Sequence, residues 1–172
     1  VECNTGEVIS YIQTPTPRKG VKWSPDGTKL ANFIEGPGVL IWDPLTSKAT
    51  GLLAEDEWQV TAFDWSPDIT KIAIGNTANQ IQIWTVASEQ HVLTFDAGPL
   101  YSVKWTPDDR LLTVDADDTA RIFNAITGSA ITTFPINSNS SLILGVSWSP
   151  EHPRPSFSEQ IAKMGDDRVD IA

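Results

Sequence analysis

Short stretches in which apolar and polar residues alternate recur along the chain, each closed by the same kind of turn. Val21 and Trp23 flank Lys22, Phe63 and Trp65 flank Asp64, Val103 and Trp105 flank Lys104, and Val146 and Trp148 flank Ser147. A period of two puts the two sets of side chains on opposite faces of a strand. The turn after each is Ser24-Pro25-Asp26-Gly27, Ser66-Pro67-Asp68, Thr106-Pro107-Asp108 or Ser149-Pro150. Proline presets φ, aspartate bonds to the backbone two residues on, and glycine accepts a positive φ.

A second strand follows as a short apolar run, Lys71-Ile72-Ala73-Ile74 or Arg110-Leu111-Leu112-Thr113-Val114. A polar turn comes next, Asn76–Asn79 or Asp115–Asp118. The third strand points Ile81, Ile83 and Ile122 inward against Gln82 and Arg121. A fourth, Gln90–Phe95 or Ser129–Phe134, completes the unit. The tryptophan of the first strand returns at intervals of 42, 40 and 43 residues. A second anchor keeps phase with it: Ile41-Trp42-Asp43, Ile83-Trp84, and Ile122-Phe123-Asn124 followed by the Thr127-Gly128 turn. Four strands per period with no helical stretch predict one propeller blade per repeat.

These two anchors and the Thr-Gly turn resemble the WD40-repeat family over essentially the whole chain. The resemblance implies an all-β fold of WD40-like β-propeller blades: four four-stranded blades, over about 1–42, 43–84, 85–123 and 124–172, forming half of a larger ring. The match is divergent. The family's Gly-His dipeptide is missing, and Thr14, Asp56, Asp96 and Asn139 stand there instead. The aspartate of the turn before the third strand is present as Asp117 and Asp166 but replaced by Gly36 and Ala78. The family's buried hydrogen-bond network is therefore expected to be mostly absent, with apolar packing holding each blade.

Val1 and Ala172 occupy the same repeat position, so the chain holds four periods. It starts without Met, its one methionine being Met164, and is expected to be a processed form or a segment of a longer protein. An open half-ring exposes apolar blade faces and unpaired strand edges. The rest of the ring is expected from a longer chain, or from a second copy that exchanges first strands to give a homodimer. Glu151–Ser158, rich in proline, reads as a loop insertion.

The charge narrows the partners. With 22 acidic against 12 basic residues, the net charge of −10 disfavours nucleic acid and an anionic membrane surface. A basic protein or peptide is compatible with it. Cys3 is the sole cysteine, so no intrachain disulfide is possible, and it reads as a small half-buried side chain. No apolar run approaches bilayer length and the first residues do not form a signal peptide, so an intracellular, cytoplasmic setting is expected.

No catalytic, cofactor-binding or metal-binding residues are expected from the sequence. His91 and His152 are far apart in the repeat, and no nucleophile arrangement or phosphate-binding loop emerges. Asp115, Asp117 and Asp118 lack the glycine and distal glutamate of a calcium loop and read as a solvated turn. Trp23, Trp42, Trp65, Trp84, Trp105 and Trp148 sit at repeat anchors and read as core. Trp58 does not: it lies in Glu55-Asp56-Glu57-Trp58-Gln59, entering the second blade on the face where propellers usually bind partners, and reads either as a contact residue or as a side chain folded over the adjoining blade. Lys19 and Tyr101 fall at equivalent positions early in first strands.

The partner-binding residues read from the sequence are thus Trp58, Tyr101, Lys19, Glu57 and Asp117, an acidic, aromatic-dotted rim suited to a basic peptide. The function expected is a non-enzymatic protein–protein interaction scaffold. An assembly element that oligomerises by strand exchange is the alternative. A propeller enzyme or small-molecule binder would need polar groups converging on the central channel, where first-strand residues read as mostly apolar or small.

Overall fold

The computed structural model describes residues 20–33, 38–54 and 58–136. They form twelve strands in three antiparallel four-stranded sheets, with no helix among the described residues. The first blade is β1 (Gly20–Trp23), β2 (Leu30–Phe33), β3 (Gly38–Asp43) and β4 (Lys48–Ala54). The second is β5 (Val60–Trp65), β6 (Lys71–Asn76), β7 (Gln80–Thr85) and β8 (Gln90–Asp96). The third is β9 (Leu100–Trp105), β10 (Arg110–Asp115), β11 (Thr119–Asn124) and β12 (Ala130–Pro135). Strands are neighbours in chain order within each sheet, and β9 lies against β5 and β6 of the preceding blade. The fourth repeat, with Trp148 and the proline-rich insertion, lies outside the described residues.

Each turn after a first strand is built by its own side chains. Ser24 Oγ donates to Asp26 and accepts from the Lys29 N–H at 2.9 Å, while Asp26 also accepts the Thr28 N–H and hydroxyl. Ser66 and Asp68 repeat this geometry, and Thr106 and Asp108 substitute a threonine for the serine. The donors from Ser24 and Thr28 pull the Asp26 pKa down to about 2. Gly27 takes φ 71° here, but Ile69 and Asp109 stand at the same point of the next two turns with φ 60°. The turn imposes the left-handed conformation whether or not glycine is present.

The core lies between blades. One cluster joins Ala31, Val39, Ile41 and Leu53 of the first blade to Phe63, Trp65, Ile72 and Trp84 of the second. Another joins Ala73, Ile81 and Ile83 of the second to Val103, Trp105, Leu111 and Phe123 of the third. A blade therefore has a leading face, toward the blade before it, and a trailing face, toward the blade after it. Both are buried in the second and third blades, and this corrects the inside-and-outside reading of the third strand. Gln82 was expected to point outward but is buried.

Two further expectations are corrected. Trp23 does not join the core with Trp65, Trp84 and Trp105, because no described blade covers its face, and it is exposed. Trp42 on the same face is only partly buried. Asp115 is not a solvated turn residue: it ends β10 and is buried, and only Asp117 and Asp118 face solvent.

Candidate interaction surface

One end of the second and third sheets is woven together by backbone hydrogen bonds. Gln59, just ahead of β5, exchanges bonds with Thr77 in the β6–β7 turn: its N–H donates to Oγ1 and its carbonyl accepts from the Thr77 N–H. Asn76 Oδ1 caps that turn by accepting the N–H groups of Ala78 and Gln80. Asn79 O accepts from Ala97 and Gly98 in the connection to the third blade, and Pro99 O accepts from Ala116 in the β10–β11 turn. The loops of this rim are held in register from blade to blade.

On this rim stand the aromatic residues singled out from the sequence. Trp58 precedes β5 with 42% of its surface exposed, and Tyr101 lies near the start of β9 with 47% exposed. Leu100 pairs with Asp115 and Ser102 with Val114, so Tyr101 is the extra residue of a β-bulge. Thr61 is its counterpart in β5, between the Val60–Asn76 and Ala62–Gly75 pairs. A bulge re-aims the side chain it carries, which takes Tyr101 out of the alternation that buries Leu100 and Val103. Asp117 is at the same end, in the β10–β11 turn. Lys19 and Glu57 lie outside the described residues.

The electrostatics of the rim include a partner that sequence reasoning missed. Arg121 on β11 forms ion pairs with buried Asp115 and, at 2.9 Å, with exposed Asp117. Thr119 donates to both carboxylates. Gly98 makes room, since a Cβ there would stand 3.2 Å from Arg121 Nη1, and its φ is +85°. The acid–base spacing Asp117…Arg121 in the sequence was the available signal. The oxygens of Asp115 and Asp117 thus serve to fix the Arg121 side chain. Asp96, Asp117 and Asp118 leave the exposed rim acidic.

At the opposite end of the first strands, Trp23, Trp65, Trp105 and their turn prolines border an open cleft of about 290 Å³. Asp64 is its one charged lining residue among those described.

The WD40 domain family of anaphase-promoting complex subunit 4 matches residues 65–151. The chain belongs to the WD40-repeat family. It is similar to "Cell division cycle 20.1, cofactor of APC complex" of Arabidopsis thaliana, 26% identical over 136 residues, covering 76% of this chain and 28% of the relative. It is also similar to WD repeat-containing protein 1 of Rattus norvegicus, 29% identical over 129 residues, covering 71% of this chain and 20% of the relative. The chain thus spans well under a third of these relatives. Among solved structures, the RRP9 WD40 repeats superpose with a TM-score of 0.61 at 17% identity, over 70% of this chain and 39% of that one. The U3-55K structure gives 0.62 at 16% identity, over 71% and 40%.

As a WD40 chain it is divergent inside the blades. Trp42 Nε1 donates to Asn32 on the neighbouring strand at 2.6 Å, and Trp84 Nε1 donates to Gln82 at 3.3 Å. Different residues satisfy the equivalent indole in successive blades. The first strands also hold more charge than expected. Lys22 Nζ donates to Asp64 at 2.8 Å and to the Phe63 carbonyl, and Lys104 reaches the same carboxylate at 3.5 Å. These positions were read as the polar side of a strand, not as a row linking three blades. Burial pushes the Lys22 pKa down, opposed by the attraction of Asp64.

Proposed function

We propose that this chain is a non-enzymatic protein-interaction platform that receives a basic protein or peptide segment on the rim carrying Trp58, Tyr101 and Asp117. The observation that carries the reading is the pair of half-exposed aromatics, Trp58 and Tyr101, at the same end of adjoining blades beside exposed aspartates. Large aromatic side chains on a rigid support lose little conformational freedom on binding, and acidic neighbours favour a Lys- or Arg-bearing partner. Membership of the WD40-repeat family supports a scaffold role. One relative is by name a cofactor of the APC complex, a role played within an assembly. Lys19 and Glu57 extend the proposed contact face. Nucleic acid, membrane and cofactors fall outside the proposal, and its setting is intracellular.

Fluorescence anisotropy of a labelled Lys/Arg-rich peptide titrated with the chain tests it. Trp58→Ala and Tyr101→Ala are each expected to weaken binding about tenfold or more, as interface hot spots do. Leu45→Ala, in an exposed turn at the other end of the first blade, is expected to leave it unchanged. Equal binding by all three variants would overturn the assignment.

A further inference from the structure

The second and third blades reach the rim with different chemistry at matching positions. Asn76 and Gln82 of the second blade correspond by register to Asp115 and Arg121 of the third. Gln82 is buried and accepts the Trp84 indole N–H. The third blade has Phe123 at the Trp84 position, so Arg121 has no indole to satisfy and reaches Asp115 and Asp117 instead. The connections ahead of β5 and β9 show a matching exchange. Gly98 stands where the second blade has Trp58, and Tyr101 of the β9 bulge stands where β5 has Thr61. A Cβ at Gly98 would lie 3.2 Å from Arg121 Nη1, so a larger side chain there crowds the guanidinium.

Arg121 spans two carboxylates of unequal exposure. The Asp115 side chain is fully buried, and a buried charge is costly unless paired, so it anchors the guanidinium. Asp117, with 47% of its side chain exposed, accepts from Arg121 Nη2 on Oδ2 at 2.9 Å and from the Thr119 hydroxyl on Oδ1. Both of its oxygens are held by donors, which fixes its orientation on the rim. Two carboxylates around one guanidinium leave one negative charge over, and Asp117 is the member that faces solvent. A contact group fixed before the partner arrives has less freedom to lose on binding.

We propose that Arg121, anchored by Asp115, is the positioning residue that presents Asp117 to one Lys or Arg side chain of the partner. This rests on the rim reading and adds which carboxylate takes the basic side chain and what holds it there. Simple charge attraction predicts the opposite for loss of Arg121, since a rim with one cation fewer draws a basic peptide more strongly.

Fluorescence anisotropy of the labelled Lys/Arg-rich peptide, with far-ultraviolet circular dichroism to check the fold, separates the two. Arg121→Gln is expected to weaken binding about three- to fivefold, the size of one exposed ion-pair contact, although it makes the rim more acidic. Asp117→Asn is expected to weaken it as much, and adding Arg121→Gln to Asp117→Asn to weaken it no further. Should unpaired Asp115 unfold Arg121→Gln, the Asp115→Asn/Arg121→Gln variant gives the same reading at unchanged net charge, with the neutral amides that the second blade carries at these positions. Unchanged or tighter binding by these Arg121 variants, or a full further loss on top of Asp117→Asn, would overturn the positioning role while Trp58→Ala and Tyr101→Ala still weaken binding. A wild-type chain with no preference for basic peptides would overturn the rim reading and this inference together.

Discussion

Asp64 of the second blade accepts a hydrogen bond from the backbone N–H of Trp105 in the third at 3.0 Å. The same carboxylate holds Lys22 of the first blade, so one side chain ties three blades. Hydrogen bonds to a charged acceptor contribute about 1.5–3 kcal/mol each, and a buried donor left unpaired is costly. Asp64→Ala is expected to destabilise the chain by about 2 kcal/mol or more in urea unfolding. Lys22→Met, which removes the Nζ lying 5.3 Å over the Phe63 ring but leaves the Trp105 N–H paired with Asp64, is expected to cost less.

Gly128 closes the β11–β12 turn of the third blade with φ 71°, and a Cβ there would stand 2.7 Å from the Phe95 ring of the second blade. Gly128→Ala meets both backbone strain and a clash. Thermal unfolding is expected to show a loss of about 2 kcal/mol. Ala at Gly27, which has the same φ but open space around it, is expected to cost about 1 kcal/mol.

Ile69 is the reverse case, a β-branched residue at φ 60° where the first blade has Gly27. The left-handed conformation costs an L-residue roughly 1–2 kcal/mol. Ile69→Gly is expected to raise stability by about 1 kcal/mol, part of the relief being offset by glycine's larger unfolded-state entropy. The midpoint of urea unfolding checks it.

Asp26 has its pKa lowered to about 2 in the folded chain, from an ordinary value of 3.8. A carboxylate whose folded pKa is depressed contributes stability above its unfolded value and loses it as pH falls toward the folded one. Asp68 and Asp43 are shifted in the same direction, by the Ser66 hydroxyl and the Leu45 N–H respectively. Stability is expected to decline between about pH 4 and pH 2, and Asp26→Asn is expected to flatten part of that decline. Urea midpoints at successive pH values read both.

The blades were legible because their physics is local. The Trp-Ser-Pro-Asp turns and the alternation around Lys22, Asp64 and Lys104 are each read within a few residues, and three sheets follow them. What escaped was the relation between blades. A strand with both faces covered has no polar outside, so Gln82 is buried where alternation places it in water. Trp23 has the same local sequence as Trp65 but no described blade against it. The Arg121–Asp115 pair depends on Gly98 in the preceding connection, and the bulge at Tyr101 on the register of β9 against β10. Alternation within one strand carries neither. The rim positions of Trp58 and Tyr101 followed from repeat phase alone.

The most direct measurement is the binding of the wild-type chain and the Trp58→Ala/Tyr101→Ala double variant to an array of basic, neutral and acidic peptides. Binding is expected to concentrate on basic peptides and to be lost in the double variant, with its fold intact. Binding that prefers acidic peptides, or that survives the double substitution, would contradict it.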